Sequence, residues 1–238
     1  MDPYELVASF YEAEYGRLEA DIAYFARNGV EGSLLVLGCG TGRVSRALAS
    51  QRRCVGLDRS APMLEIASRL APAAEFVQGD MRDFDLGPFD EIVIPNGGFN
   101  FLPTRADQAR CMAACARALP VGGQLTLDMP MPDFQRIGEP HTHEKVAWEG
   151  VINDREARRT REVRRTPELQ RLDLIDRYYV DGELVATSPL LLRQVMPAEA
   201  EWMLESAGFY VDAILGEYTG SHVRAGCPRV LVRAVKMA

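Results

Sequence analysis

The chain has 238 residues, 47% hydrophobic and 26% charged, with a formal net charge of −7 and a pI of about 5.1. Such a composition is that of an ordinary globular protein, and its acidic balance opposes non-specific attraction to nucleic acid or anionic membranes. No stretch approaches the roughly 18 apolar residues of a membrane span, so the expected partner is a small molecule, with neither nucleic acid nor membrane.

The opening MDPYELVASF is acidic and lacks the basic start and long apolar run of a secretory signal, which predicts a cytoplasmic protein. The five cysteines, Cys39, Cys54, Cys111, Cys115 and Cys227, form no C-x-x-C pair. Cys111 and Cys115 share a helix face without further ligands nearby, so both are read as core residues and no metal is expected. Asp2 before Pro3 predicts a helix N-cap, with two short helices over 3–14 and 16–27. Leu18, Ile22 and Phe25 would form the buried face of the second, and Gly29 its end. Tyr4, Tyr11 and Tyr15 exceed what a core stripe needs.

The stretch Leu34 to Ser45, LLVLGCGTGRVS, organises the rest of the chain. Four apolar residues run into Gly38, Gly40 and Gly42, and a helical pattern resumes with Val44 and Leu48: a buried strand, a tight turn and a helix start. Glycines belong there because a side chain would keep the backbone from closing on a ligand. Next comes the apolar run Cys54 to Leu57, ending in Asp58. An acidic residue at the tip of a second strand can accept both hydroxyls of a ribose. The segment FVQGDMRDF then predicts a third strand ending in Asp80 and Met81, where a carboxylate can take an exocyclic adenine amine.

In this order, LLVLGCGTG, VGLDRS and VQGDMRDF resemble the successive motifs of the class I S-adenosylmethionine (SAM) dependent methyltransferases. The resemblance implies an α/β fold, a doubly wound, Rossmann-like, mostly parallel seven-stranded sheet with an antiparallel last strand. It also implies SAM as cofactor, S-adenosylhomocysteine as product, and methyl transfer to N or O of a small molecule such as a secondary metabolite or amine. Carried onto this chain, the cofactor residues are Gly38, Cys39, Gly40, Gly42, Asp58, Arg59, Asp80, Met81, Pro95 and Asn96. In similar small-molecule enzymes a tyrosine-bearing N-terminal segment closes over the cofactor and lines the substrate cavity. That implies Tyr15 as the lid residue and Tyr11 as a substrate contact. The pattern departs at Val36, where many members carry an acidic residue that helps hold the ammonium of the cofactor's methionine part. Here that contact falls to other groups.

Ser60 should cap a helix over 62–70. After Gly87-Pro88, a fourth strand over 89–94 leads into PNGGFNF, residues 95–101, a loop between cofactor and substrate with Asn100 and Phe101 on the substrate side. Thr104 caps a helix to about Leu119, and a fifth strand spans 124–129. From Pro130 the pattern changes to period-two segments over 145–151, 158–165, 172–180 and 184–195, with Asp181-Gly182 as a hairpin turn. These predict inserted antiparallel strands after strand five, a substrate cover over 140–195 that offers Tyr178, within a single domain whose residues 1–30 are the lid. The run REARRTREVRR, residues 155–165, interleaves Glu156 and Glu162 and reads as a solvated strand face rather than an RNA site.

A helix over 198–207 ends at Gly208, and strands over 209–215 and 229–235 close the chain. The close is similar to the final hairpin of the class I methyltransferases. The loop GEYTGSHVRAGCPR is similar to the long loop that many small-molecule members place beside the substrate, implying Tyr218 as a substrate contact. In similar sugar-amine enzymes a histidine often ends the loop after strand four, but Phe101 stands there. His222 is therefore favoured as a proton acceptor, ahead of Tyr15, His141 and His143. An RNA or protein methyltransferase would want a basic docking face, and a nicotinamide dehydrogenase would want G-x-G-x-x-G. A non-catalytic SAM-binding partner is favoured by Val36 alone. A homodimer is compatible with the sequence, which does not name the acceptor.

Overall fold

Strands of four to seven residues alternate with helical segments along the first half of the chain. The computed structural model describes residues 3–136, 138–224 and 226–238, with side chains described from residue 7 onward. The cap expected of Asp2 and the lid role of the Tyr4 side chain lie outside the described residues. Helices α1 (Pro3–Tyr15) and α2 (Ala20–Asn28) precede strand β1 (Leu34–Leu37). The chain continues through α3 (Arg43–Leu48), β2 (Cys54–Asp58), α4 (Ala61–Leu70) and β3 (Glu75–Gln78). Then come β4 (Glu91–Ile94), α5 (Arg105–Ala118) and β5 (Gln124–Pro130). Ser60 and Thr104 cap α4 and α5, each side-chain oxygen accepting a backbone N–H three residues on.

An antiparallel meander comes next: β6 (His141–Ile152), β7 (Arg155–Thr166), β8 (Arg171–Val180) and β9 (Glu183–Arg193). Helix α6 (Pro197–Ser206), β10 (Phe209–Gly216), the two-residue β11 (Ser221–His222) and β12 (Arg229–Lys236) complete the chain. The main sheet has the order β11-β10-β12-β5-β4-β1-β2-β3, parallel from β3 to β5 and antiparallel beyond. The expected seven strands are all present, and β11 adds a short eighth at the edge.

Both faces of this sheet are covered, which is why β1 and β4 are buried throughout rather than at alternate positions. Leu35, Leu37, Ile92, Ile94, Leu125 and Leu127 pack with α5 and α6 on one side. Leu34, Val36, Val93 and Leu231 pack with Tyr24 and Phe25 of α2 and Val44 of α3 on the other. The departure at Val36 is thus absorbed into the core beneath α2. The meander forms a second, four-stranded sheet whose inner face takes Phe10 of α1 against Ala157, Tyr178, Val180 and Ala186. No helix among the described residues is long and apolar enough to cross a membrane.

The expected second helix is shorter than its pattern. Leu18 is 45% exposed and Ile22 only half-buried, while Phe25 is buried as expected and shares its face with Asp21 and Tyr24. Asp21 can lie there because Arg43 neutralises it, donating Nη1 to Oδ1 at 2.6 Å and Nη2 to Oδ2.

Candidate functional site

Strand order reverses between β1 and β4, two parallel neighbours from which the chain steps outward to β2 and β3 on one side and to β5 on the other. In open parallel sheets ligands bind beyond the carboxyl ends of the strands at such a point. Gly38, Gly40 and Gly42 turn the chain here, with φ of 64°, 55° and 77°, values open to glycine and strained for most other residues. Gly38 faces the loop after β4: a Cβ placed on it would lie 3.9 Å from Gly98 Cα and 3.1 Å from Met81 Cε. The first motif, the third motif and the loop after β4 therefore converge within one side chain's reach.

Asp58 ends β2 beside them. Its Oδ2 accepts the Gly40 N–H at 2.8 Å and its Oδ1 the Ser60 N–H at 2.9 Å. Each carboxylate oxygen keeps a further lone pair for another donor. Cys39 is buried, and burial, then the neighbouring Asp58 charge, pushes its thiol well up, so it stays protonated. Asp80 meets different company. Its carboxylate takes Arg82 Nε at 3.0 Å and the Arg82 backbone N–H at 2.9 Å, and Arg82 also donates to Asp107 at 2.8 Å. The bonds from Arg82 hold the Asp80 carboxyl below the usual carboxylate range. Arg59 is exposed, close enough to add to that effect.

Helix α1 closes on the glycine turn. The ring of Tyr11 lies 3.2 Å from the point where a Gly40 Cβ would stand. The ring of Tyr15 lies 4.9 Å from that of Tyr11. Next to them Glu12 accepts the Thr41 hydroxyl at 2.5 Å and Arg46 Nη1 at 3.2 Å. Burial raises both phenols, Tyr15 to about 12 with help from Glu14, so each is a neutral hydroxyl near pH 7.

Beyond β4, Pro95 is buried and Asn96 is partly so. Asn96 Nδ2 donates to the Tyr11 hydroxyl at 3.3 Å, and the Asn96 N–H donates to Asp128 Oδ2 at 2.7 Å. Asp128 is fully buried near the end of β5. It also accepts the Tyr218 hydroxyl at 2.7 Å and pairs with Arg229. Burial raises its carboxyl and Arg229 opposes that shift.

Several expected residues are placed elsewhere. His222 is exposed on β11, four strands from β4. At about 4.8 Å per strand that is roughly 19 Å across the sheet, so the residue of this loop brought to the site is Tyr218 and not His222. His141 and His143 stand on β6 with ring centroids 4.4 Å apart, and His141 Nε2 is 2.9 Å from Glu162. Tyr178 is buried edge-on to Phe10 at 4.9 Å, a packing contact between α1 and the second sheet. Asn100 is also buried, and its Nδ2 donates to the Arg193 carbonyl at 2.8 Å, clamping the loop to the end of β9. Phe101 is 46% exposed on the same 3₁₀ turn.

Sequence reasoning passed over Asp128, Arg229, Glu12 and the Asp21–Arg43 pair. One signal was available: Asp128 is the sole charged residue in the otherwise apolar and neutral run QLTLDMP.

Residues 34–123 match the family described as "Methyltransferase domain". A dTDP-3-amino-3,6-dideoxy-alpha-D-glucopyranose N,N-dimethyltransferase of Streptomyces fradiae is 45% identical over 87 residues. That stretch covers 35% of this chain and 34%, about a third, of the length of that curated relative. CalS10, an amino pentose methyltransferase from Micromonospora echinaspora, is similar over almost the whole chain, with a TM-score of 0.73, 26% identity, and coverage of 96% of this chain and 97% of the other. The CcbJ methyltransferase from Streptomyces caelestis shares the fold at a TM-score of 0.81 and 21% identity, over 92% of this chain and 89% of that one.

Proposed function

We propose that this chain, a member of the class I SAM-dependent methyltransferases, moves a methyl group from SAM to an amine of a small molecule. The observation that carries the reading is the convergence at the switch point, where Gly38 faces Gly98 and Met81 and Asp58 braces Gly40. A cradle that a single Cβ would fill suits a cofactor lying close along backbone. Gly38, Gly40 and Gly42 would let it approach, Asp58 would accept ribose hydroxyls, and Met81 would flank the base. Asp80 would serve the adenine amine only with the oxygen capacity that Arg82 leaves. Tyr11, Tyr15 and Asn96 would close over the other end, with Phe101 and Tyr218 toward the acceptor.

Bound SAM supplies a methyl carried on a positively charged sulfur, open to in-line displacement. The chain's contribution is then alignment and exclusion of water by α1. A strong proton acceptor is needed only for an acceptor that must be deprotonated first. Among the described residues no histidine stands at the switch point, and Tyr11 and Tyr15 are neutral phenols. Such a site suits an amine that attacks with its own lone pair and sheds its proton to solvent afterwards. The amino-sugar enzymes among its relatives support the same acceptor class.

The test uses methyl-labelled SAM with a panel of nucleotide-linked amino sugars, dTDP-3-amino-3,6-dideoxyglucose among them, and analogues with hydroxyl in place of the amine. Label on the amines alone is expected. Transfer to the hydroxyl analogues and not to the amines would reject the amine reading.

A further inference from the structure

Asp128 binds together segments that are distant in sequence. Its Oδ2 takes the Asn96 N–H and the Tyr218 hydroxyl, each at 2.7 Å, while Arg229 Nη1 donates to its Oδ1 and to the Tyr218 oxygen. The Arg229 guanidinium also lies over the Tyr218 ring, 4.5 Å from its centroid. The Asp128 carbonyl accepts the Gly97 N–H at 2.8 Å. Loops from β4 and β10 and the start of β12 thus meet on one residue of β5.

Two features separate this cluster from core packing. First, a carboxylate withdrawn from water is costly to keep, and an apolar side chain of similar size would serve a strand interior at least as well. What an apolar side chain cannot do is hold two donors in set directions while a cation balances the charge. Second, the residues it grips are unusual. Asn96 and Gly97 are consecutive left-handed residues, φ 49° and 74°, and an asparagine in that region persists where its surroundings over-determine it. Asp128 supplies that restraint twice, by side chain to Asn96 and by carbonyl to Gly97. From Asn96 the chain of contacts continues to Tyr11 on α1.

We infer that Asp128 is the positioning residue of the methyl-transfer site, holding the loop after β4 in its turn and, through Tyr218 and Arg229, holding the loop after β10 closed beside it. The inference rests on the function proposed above. Asp128 touches neither the glycine turn nor Asp58, so its removal should disturb alignment more than cofactor affinity.

The experiment compares wild type, Asp128→Asn, Tyr218→Phe and the double variant on whichever amine of the panel wild type turns over fastest. For Asp128→Asn, which sets an amide N–H₂ among donors, kcat should fall roughly 10- to 100-fold, the scale of a small misplacement of reacting groups. The SAM dissociation constant by calorimetry should change less than about threefold, and the Asn96 amide should exchange hydrogen at least about tenfold faster, as its local restraint is lost. Tyr218→Phe should lower kcat about three- to tenfold, and the double variant should be no slower than Asp128→Asn, as residues acting in one unit are non-additive. Turnover of folded Asp128→Asn within about twofold of wild type, or losses that simply add, would overturn the inference while leaving the function standing. So would a fall in kcat that only tracks a smaller SAM-titratable fraction. If Asp128→Asn does not fold, unaltered kcat in Tyr218→Phe overturns it. Wild type that binds no SAM overturns the functional reading itself and takes the inference with it.

Discussion

Asp58 and Asp80 end neighbouring segments, yet their surroundings assign them unequal weight. Among the described residues Asp58 accepts hydrogen bonds from the backbone N–H groups of Gly40 and Ser60, which leaves lone pairs for the ribose hydroxyls proposed above. Asp58→Ala should weaken SAM binding by about 1.5–3 kcal/mol, the range for hydrogen bonds to a charged group. Asp80→Ala should lose less, because Arg82 already occupies its carboxylate. Calorimetry on both variants, with melts to confirm folding, checks the order, and an Asp58 variant of unchanged affinity would remove that residue from the site. The sequence expectation rests on local patterns: glycines where φ is positive, as found, and an acid where a strand ends, as found for Asp58, whereas β3 stops at Gln78, two residues before Asp80. Asp128, Arg229 and the Asp21–Arg43 pair were not legible in this way. Their partners lie 101 and 22 residues away, and only the folded sheet makes a buried charge tolerable.

The second sheet shows how far alternation carries at the scale of an element. Its Asp181-Gly182 turn, φ 47° and 82°, was readable, and Asn153-Asp154, φ 50° and 60°, makes the matching turn between β6 and β7. The start of β6 at His141 was not readable, because register shifts after Thr142 and after Val146 break the period of two. The basic run of β7 divides between faces. Arg161 points inward, its Nε 2.6 Å from the buried Asp176, while Arg158 lies over Tyr179 and Arg164 meets Glu162 on the outer face. Arg161→Gln should therefore cost about 1–3 kcal/mol in urea melts, below the ~3–5 for a fully buried pair. The reduction reflects an Arg161 side chain that is 33% exposed. Arg158→Gln with Arg164→Gln should leave turnover within about twofold and stability within about 0.5 kcal/mol, as for ordinary surface changes. RNA binding that is lost in this pair would instead revive a nucleic-acid role. The outer face also sets a pH response. Bonds from Thr160 to Glu144, and from His141 and Arg177 to Glu162, hold both carboxyls below their ordinary range. A depressed folded-state pKa gives stability that is present above the unfolded value, about 4.3, and is lost as pH falls through the folded one. Melting temperature should drop on acidification below about pH 4.3, and Glu162→Gln should flatten part of that slope. An unaltered slope in that variant would show that Glu162 does not contribute.

At the scale of the molecule, function is set by where strand order reverses. The parallel core places β1 beside β4, and the glycine turn, Asp58 and Met81 arrive at one end of the sheet from motifs separated by up to 43 positions, Gly38 to Met81. Helix α1 lies against the glycine turn through Tyr11 and Glu12, and the second sheet packs on α1 through Phe10 against Tyr178. The central claim, that the residues gathered at this switch point take SAM, is tested most directly by thermal unfolding with SAM, S-adenosylhomocysteine and the nicotinamide dinucleotides in parallel. A ligand at about 100 times its dissociation constant adds roughly 2.7 kcal/mol, or about 5–10 °C in a chain of this size. Midpoints should rise by that amount with SAM and S-adenosylhomocysteine and stay still with the dinucleotides; a rise with a dinucleotide and none with SAM would contradict the assignment.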